Sequence, residues 1–374
     1  MKKIIWILAI VLVVCVFGGR AWYLRQRTAE ENPDNKPVVK IGVILPLTSM
    51  AAKVGQEMLE SIKIAEQHIN HDPQYGFKVK MLIEDGKMQS KASVDAFQKL
   101  MAHKVDAMIV FAEISVKSVS RFVQDNKIPT LAIDGRPYSG YLFTVPVSNK
   151  TLGHTYGKYV AEKMGLKRIG VVYLDDLMGK ETTEAFINGA KEKGSEITAI
   201  EKYKADSIDI KAQVLKLLDK DPDAIFTYGY GDKSFPATIN YIRTLGYDKP
   251  ILSLFVISEA LPFLKDKHNL YFLDLSFQSQ YDTYDFLGDF YKKFPDAYPN
   301  FTVVSHYIAA HMIAKVANKV GTKDPDMFMK ELKSLSSFDT PYGPMQIIGG
   351  ETYLPMFAKK VLPDGTIEIV EEIK

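Results

Sequence analysis

Polar side chains that could hold a small ligand follow several strand-like runs, at the point where each run ends. Thr48, Ser49 and Met50 come after the apolar run VVKIGVIL and precede a stretch with helical periodicity. Hydroxyl groups beside the free backbone N–H groups of a helix start favour an anionic ligand. The same hydroxyls could instead cap the helix, and the sequence leaves both interpretations open.

A second candidate site follows the strand-like run PTLAI. Two charged residues, Asp134 and Arg136, stand there two positions apart. A guanidinium group binds carboxylate or phosphate in bidentate geometry, so Arg136 is a candidate for holding an anionic ligand. The alternative is an internal ion pair between Asp134 and Arg136.

Motifs that would indicate an enzyme or a metal site do not occur in the sequence. His68 and His71 form H-x-x-H beside Asp72-Pro73, but no HExxH and no suitable third ligand stands nearby. The string GYGDKS lacks the spacing of a phosphate loop, and no GxSxG or kinase motif occurs. We therefore expect no catalytic residue, no bound metal and no cofactor.

Composition and charge argue against a further class of protein, the nucleic-acid-binding proteins. The chain has 374 residues, 47% hydrophobic and 25% charged, which fits a globular protein of two domains. Residues 1–27 carry five basic and no acidic residues, and removing them changes the net charge from +2 to −3. A nearly neutral body without a basic run argues against nucleic-acid binding.

The N-terminus resembles a targeting segment. Two lysines precede sixteen uncharged residues, 4–19, which is the pattern of a signal sequence. Three alternatives remain open. The segment is cleaved after Ala21, it is lipidated at Cys15 (the one cysteine of the chain), or it stays uncleaved as an apolar helix that anchors the protein. Residues 28–37 are polar, contain two prolines and are predicted to be a linker.

Strand-like and helical periodicities alternate along the body, and this alternation starts twice. Runs such as AMIVF and RIGVVYL are apolar throughout, which indicates strands buried on both faces. Helical stretches separate them, for example residues 55–69, 91–102 and 303–320. This order predicts an α/β protein with two parallel sheets covered on both faces.

Five segments in this order resemble one known family. They are KIGVILPLTSMAAKVGQEMLESIKIAEQHIN, VKMLIEDGKMQSKASVDAFQKLM, RIGVVYLDDLMGKETTEAFINGAKEKG, PDAIFTYGYGDKSFPATINYIRTLGY and FDTPYGPMQI. Together they are similar to the type I periplasmic solute-binding proteins, in the leucine/isoleucine/valine-binding branch. The resemblance covers the chain from Val38 onward.

The resemblance implies two doubly wound lobes joined by three hinge crossovers, near residues 143–146, 274–277 and 340–345. Residues 38–145 with 276–343 would form the first lobe. Residues 146–275 with 344–374 would form the second. The ligand would lie between the lobes at the carboxyl ends of the strands, and closure would be a hinge motion.

The resemblance also assigns candidate ligand contacts, and some of them depart from the family pattern. Tyr230 matches the cleft tyrosine, and Met178 stands near the position of a covering aromatic residue. Ser115 fits a hydroxyl position that holds a carboxylate, but the neighbouring Glu113 would repel one. Phe255 stands where amino-acid binders carry an acid, which favours an aromatic, aliphatic or acidic ligand over an ordinary amino acid.

The implied function is capture of a small ligand outside the cytoplasm and its delivery to the membrane permease of an ABC-type importer. The ligand would be an amino acid or another small organic acid or amide. The alternative is a membrane-tethered sensor on the same fold that signals to a partner protein. In both cases the N-terminal segment would contact the membrane, and the body would lie in the periplasm or on the extracytoplasmic face.

Overall fold

The computed structural model describes residues 36–49, 51–135, 140–207, 209–230, 233–277, 279–348 and 351–373. The predicted N-terminal helix, Met50 and Arg136 lie outside these ranges. Among the helices within them, none combines the length and hydrophobicity that a membrane span requires.

The first sheet has five strands in the order β2-β1-β3-β4-β5, all parallel. Its central strands are apolar on both faces because helices cover both, so Val43 and Ile109 are fully buried. The strands are β1 (Val38–Leu45), β2 (Lys78–Asp85), β3 (Ala107–Phe111), β4 (Thr130–Ile133) and β5 (Leu142–Thr144).

Helices connect these strands, and three more are added from a later part of the chain. The connecting helices are α1 (Ala52–His71), α2 (Ser90–Ala102) and α3 (Glu113–Asp125). The later ones, numbered in chain order, are α9 (Phe286–Lys293), α10 (Phe301–Val320) and α11 (Pro325–Ser334). Helix α10 is buried along most of its length and packs on α1. The Ser61 hydroxyl joins the two helices by donating to the Val303 carbonyl at 2.7 Å.

The second sheet has seven strands in the order β15-β14-β10-β9-β8-β6-β7. The bounds are β6 (Arg168–Leu174), β7 (Glu196–Tyr203), β8 (Ala224–Tyr228), β9 (Ile251–Leu254), β10 (Leu270–Leu275), β14 (Met356–Val361) and β15 (Ile367–Ile373). Strands β6 to β10 are parallel, but β14 is antiparallel to β10 and β15 to β14. A tight turn at Gly365, with φ at 91°, connects β14 to β15, and such a turn can join only antiparallel strands.

The helices of the second sheet follow the same alternation. They are α4 (Asn149–Glu162), α5 (Leu177–Glu192), α6 (Lys211–Leu218), α7 (Ser234–Thr244) and α8 (Ile257–Ala260). Helices α4 and α5 approach each other closely because glycines face the contact. A Cβ atom added to Gly157 would lie 2.1 Å from the Phe186 carbonyl oxygen, so even alanine would force the helices apart.

A third, small antiparallel sheet lies where the chain crosses between the lobes. It contains β11 (Ser337–Thr340), β12 (Gly343–Ile348) and β13 (Glu351–Tyr353). The Thr352 hydroxyl donates to the Pro146 carbonyl, which ties β13 to the segment after β5. The third sheet therefore spans the boundary predicted at residues 343 and 344, and its strands β12 and β13 do not belong to the second sheet. The exact lobe boundaries stay a prediction.

The predicted alternation is confirmed for every long element, with ends shifted by a few residues. The helix predicted over residues 303–320, for example, is α10 at Phe301–Val320. Strands β5, β11 and β13 and helix α8 were not predicted, since three or four residues show no periodicity that distinguishes them from a loop.

Candidate functional site

A cavity of about 270 Å³ lies between the two sheets, at the carboxyl ends of their parallel strands. Loops after β1, β2 and β3 form one wall, and loops after β6 and β8 form the other. Open α/β sheets bind ligands at this edge. The described side chains that line the cavity are Ser49, Lys87, Met88, Gln89, Ala112, Glu113, Ile114, Asp176, Leu177, Met178 and Tyr230.

Asp85, at the end of β2, holds the first wall together. Its carboxylate accepts hydrogen bonds from the Leu47 backbone N–H at 2.9 Å and the Lys87 backbone N–H at 3.0 Å, and from the Thr48 hydroxyl. Partial burial works in the opposite direction, but these donors hold the pKa of Asp85 below its usual value. The exposed Thr48 thus fixes the loop and does not line the cavity.

The loop after β2 adopts a left-handed backbone where it meets the cavity. Lys87 and Met88 have φ values of 54° and 52°, which non-glycine residues rarely adopt. The Gln89 N–H donates to the Gly86 carbonyl at 2.9 Å and closes the turn. This geometry brings the half-buried Met88 side chain into the lining, where a flexible thioether can adapt to an apolar ligand.

The loop after β3 is strained at one residue. Ala112 has φ at 72° and ψ at 135°, a conformation that costs about 1–3 kcal/mol outside glycine and occurs most often at ligand sites. Its N–H donates to the Ile133 carbonyl at 3.0 Å and fixes the turn into α3. The next two residues, the buried Glu113 and the half-buried Ile114, line the cavity as a result.

Asp176 and Tyr230 form the opposite wall. Asp176 caps α5 by accepting a hydrogen bond from the Gly179 N–H at 2.7 Å. Asp175 instead pairs with Lys202 at 3.0 Å. The Tyr230 hydroxyl donates to the Asp176 carboxylate, and burial raises the pKa of Asp176 despite that bond.

Asp134 lies behind the lining and is 4% exposed. Burial, the largest cause, and the neighbouring carboxylates of Glu113 and Asp176 together raise its pKa to about 8. The Asn149 backbone N–H donates to Asp134 and offsets part of this effect. Asp134 itself has φ at 58°, a region that aspartate tolerates better than most residues.

The structure brings four of the predicted contacts together around the cavity: Ser49, Glu113, Met178 and Tyr230. Thr48 and Asp134 lie just behind them. The Ser49 hydroxyl oxygen accepts from the Ala51 N–H at 3.1 Å, but α1 begins without a side-chain cap. The predicted alternative of simple helix capping therefore does not describe Thr48 or Ser49. A role for these residues in ligand binding stays a prediction.

Ser115 does not reach the cavity. It lies on the buried face of α3, where its hydroxyl oxygen is 2.9 Å from that of Ser93. Ser93 in turn donates to the Gln89 carbonyl at 2.8 Å. Ser115 therefore supports the loop after β2 from behind, in a position that the strand-end pattern alone does not distinguish from the cavity lining.

Phe255 also lies outside the lining. Its ring meets Phe301, the first residue of α10, edge to face with centroids 4.3 Å apart. The two rings come from opposite lobes, so Phe255 contributes to the contact between them. Glu259, four residues later, borders a neighbouring groove rather than the cavity.

The predicted contacts did not include seven residues that line the cavity: Lys87, Met88, Gln89, Ala112, Ile114, Asp176 and Leu177. Ile114, Asp176 and Leu177 stand in the same strand-end segments as the predicted Glu113 and Met178. Residues 87–89 follow the strand KVKMLIED, and this strand end was a usable signal. Placing these residues at the cavity, however, requires knowing that β2 lies next to β1 in the sheet.

The lining combines apolar surface with a few charged groups at fixed positions. Met88, Ile114, Leu177 and Met178 are its large aliphatic and thioether side chains, Glu113 and Asp176 supply carboxylates, and Lys87 supplies an ammonium group. Small-molecule sites have this composition. In the part of the chain that the structure describes, no group of three or more His, Cys, Asp or Glu residues is arranged to hold a metal ion.

Comparison with known proteins decides the family. A sequence profile of the family named periplasmic binding protein matches residues 38–362. The chain belongs to the periplasmic binding protein family. This confirms the resemblance found in the sequence and the expectation of a binding protein rather than an enzyme. It also implies a small-molecule ligand and an extracytoplasmic location.

Solved structures of this periplasmic binding protein fold superpose closely. The ABC transporter substrate-binding protein of Sphaerobacter thermophilus has a TM-score of 0.80 at 18% identity, covering 90% of this chain and 98% of its own. The branched-chain amino acid binding protein LivJ of Streptococcus pneumoniae, in complex with isoleucine, has 0.76 at 21%, covering 90% and 99%. A Rhodopseudomonas palustris solute-binding protein in complex with benzoate has 0.77 at 14%, covering 90% and 96%.

A relative by sequence is the uncharacterised protein MJ1266 of Methanocaldococcus jannaschii. It is 23% identical in an alignment that covers 86% of this chain and 84% of that one.

Proposed function

We propose that this protein captures a small solute in the cavity between its lobes and delivers it to the membrane permease of an ABC-type importer. The observation that carries the proposal is the cavity itself, because strand-end loops of both sheets line it. A ligand that touches both walls favours the closed arrangement of the lobes. A permease could then distinguish the loaded protein from the empty one.

The size and lining of the cavity limit the ligand. A volume of about 270 Å³ suits one ring or one short branched chain. Met88, Ile114 and Met178 would cover its apolar part, while Tyr230 and Gln89 offer hydrogen bonds. Isoleucine and benzoate, bound by two structural neighbours, have this size. We therefore expect a compact amino acid, organic acid or amide.

A thermal-shift screen of amino acids, aromatic acids, short-chain acids and amides tests the proposal. A ligand present at 100 times its dissociation constant adds about 2.7 kcal/mol of stability. Any hit should lose about 1–3 kcal/mol of binding free energy in the Tyr230→Ala variant, measured by calorimetry. Tyr353→Ala, on the exposed third sheet, is the matched control and should bind as the wild type does. Equal affinities for the two variants would remove Tyr230 from the site.

Membrane attachment through residues 4–19 belongs to the same proposal, supported by the two lysines that precede this apolar run. Membrane fractionation of cells that express the full chain, followed by N-terminal sequencing of the mature protein, separates the alternatives. An intact N-terminus in the membrane fraction supports an anchor. A soluble product that starts at Trp22 supports cleavage after Ala21.

A further inference from the structure

A groove of about 560 Å³ lies at the first turns of α1 and the start of α10, and we call it the α1/α10 groove. Helix α1 and the segment before α10 form one wall, to which Val54, Glu57 and Ala297 contribute. Helix α8, the residues directly after it and the turn between β14 and β15 form the other wall. No described residue lines both this groove and the cleft cavity, so the two sites are distinct.

Helices α1 and α10 run in the same direction, which places their first turns side by side. The Ser61 hydroxyl donates to the Val303 carbonyl at 2.7 Å. Further along both helices, the His68 Nδ1 lies 2.9 Å from the Tyr307 hydroxyl. Glu57 stands one turn before Ser61 on α1, beside the start of α10. The packing of two long helices therefore fixes Glu57 at the groove.

Glu57 is 6% exposed, and its carboxylate has no hydrogen-bond or ion-pair partner among the residues that the structure describes. Both carboxylate oxygens nevertheless keep accessible surface, and because Glu57 lines the groove, this surface opens into it. Lys53, one turn earlier on α1, is exposed and forms no ion pair with Glu57. Burial raises the pKa of Glu57, and the Lys53 charge offsets only part of this effect. A cation that reached Glu57 would supply the missing partner.

The other two acidic residues of α1 have partners within the protein. Glu60 pairs with Lys63 at 3.6 Å, and Glu66 accepts a hydrogen bond from the Met81 N–H at 2.9 Å. Neither of them lines the groove. Within this helix, the carboxylate without a partner is thus the one that borders the groove, which indicates that its partner is a ligand.

The rest of the described lining favours a cation with an apolar body. Glu259 and Asp296 add two carboxylates, against the single ammonium group of Lys53. An anion would therefore meet three carboxylates, whereas a protonated amine can donate its N–H groups to Glu57. The second wall supplies apolar surface from Leu261, Pro262 and Ile367.

We propose that the α1/α10 groove is a second ligand site, which binds a small primary amine with its ammonium group on Glu57 and its apolar chain against Leu261 and Ile367. Hydrogen bonds between charged groups are about twice as strong as those between neutral groups. The charge of the amine should therefore decide its affinity more than its shape does. The site is separate from solute capture in the cleft, and each can be tested without the other.

Isoamylamine is the probe for the test, with isoamyl alcohol as the matched probe that has the same shape and no charge. Calorimetry of the full chain at neutral pH should show saturable binding of the amine, about tenfold tighter than that of the alcohol. In Glu57→Gln, which keeps the size of the side chain, the affinity for the amine should fall about tenfold while the affinity for the alcohol changes by less than about twofold. A ligand of the cleft should bind to this variant as to the wild type, which shows that the variant is folded.

Two control variants locate the binding. Glu60→Gln makes the same change three residues further along α1, outside the groove, and Ile114→Trp fills the cleft cavity. Both variants should keep the affinity for isoamylamine. The absence of saturable amine binding, equal affinities for the amine and the alcohol, or equal losses in Glu57→Gln and Glu60→Gln would each overturn the proposal. A loss in Ile114→Trp with no loss in Glu57→Gln would place the amine in the cleft, which contradicts the second site and supports solute capture between the lobes.

Discussion

Two buried aspartates have neighbours of different charge. Asp134 lies behind the cleft cavity and is 4% exposed, and Asp274 lies at the end of β10 and is 1% exposed. Burial raises the pKa of both. Asp274 accepts hydrogen bonds from the Tyr298 hydroxyl and the Leu275 N–H, each at 2.8 Å, and lies 3.7 Å from the Lys359 ammonium. Asp134 instead faces the carboxylates of Glu113 and Asp176.

The difference shows how the fold uses buried charge for two purposes. The group around Asp274 is closed, because Lys359 also donates to the Leu275 carbonyl at 2.6 Å and to the Tyr298 hydroxyl at 2.7 Å. It joins β10 and β14 to the segment before α10. The carboxylates of Glu113 and Asp176 instead raise the pKa of Asp134 beside a cavity, and groups with shifted pKa values concentrate at functional sites.

Breaking the closed group should have the largest effect. Asp274→Leu leaves the Lys359 ammonium, which is 3% exposed, without its counter-charge. We expect the free energy of unfolding to fall by about 3–5 kcal/mol, measured by urea unfolding of the full chain. The double variant with Lys359→Met should recover most of this loss, because it buries no charge. A double variant as unstable as the single one would contradict this account.

Neutralising Asp134 should raise the free energy of unfolding, whereas neutralising Asp274 lowers it. The unfolded Asp134 releases its proton near pH 4, whereas the folded one holds it to about pH 8, so stability falls as pH rises between these values. Asp134→Asn removes this dependence and keeps an acceptor for the Asn149 N–H. The variant should be more stable than the wild type by about 3 kcal/mol at pH 6. A difference that stays constant from pH 4 to pH 8 would show that Asp134 is ionised throughout.

The sequence predicts those features of the fold and the site that depend on residues close together in the chain. The alternation of apolar runs and amphipathic stretches is local, and it predicted both parallel sheets and four of the five loops that line the cavity, the loop after β2 being the exception. Tyr230 and Glu113, each predicted two residues after a buried strand, both line the cavity, and their role in ligand binding stays a prediction.

The pKa of Asp134 depends in part on the charge of Asp176 and on the backbone N–H of Asn149. These residues stand 42 and 15 positions further along the chain, so no local pattern shows the effect. The same holds for Asp274 and Lys359, which meet only because β14 returns antiparallel to β10. Ser115 and Phe255 illustrate the converse. Both follow strands as cavity residues do, but packing against Ser93 and Phe301 directs them elsewhere.

A matched pair of tyrosine variants sharpens the comparison at the level of single hydroxyl groups. Tyr298→Phe removes a hydroxyl that joins Asp274 and Lys359, and it should cost about 1.5–3 kcal/mol, as for a hydrogen bond to a buried charge. Tyr230→Phe removes the hydroxyl that donates to Asp176 at the cavity wall, where water can replace it. Its cost should be about 1 kcal/mol or less. If urea unfolding shows that the two variants lose the same free energy of unfolding, water does not replace the Tyr230 hydroxyl, and the cleft is as closed to water as the group around Asp274.

The smallest effect tests whether the carboxylates around the cavity act on one another. Asp176→Asn keeps the cap of α5, because asparagine caps as well as aspartate, but it removes one negative charge that raises the pKa of Asp134. The pH at which Asp134 titrates should therefore move down by a fraction of a unit, followed by the carboxyl ¹³C shift. Asp175→Asn is the control, since its carboxylate pairs with Lys202 at the surface and should leave that titration unchanged. If both variants shift it equally, the effect is one of net charge, and the crowding of Asp134 by Asp176 is not its cause.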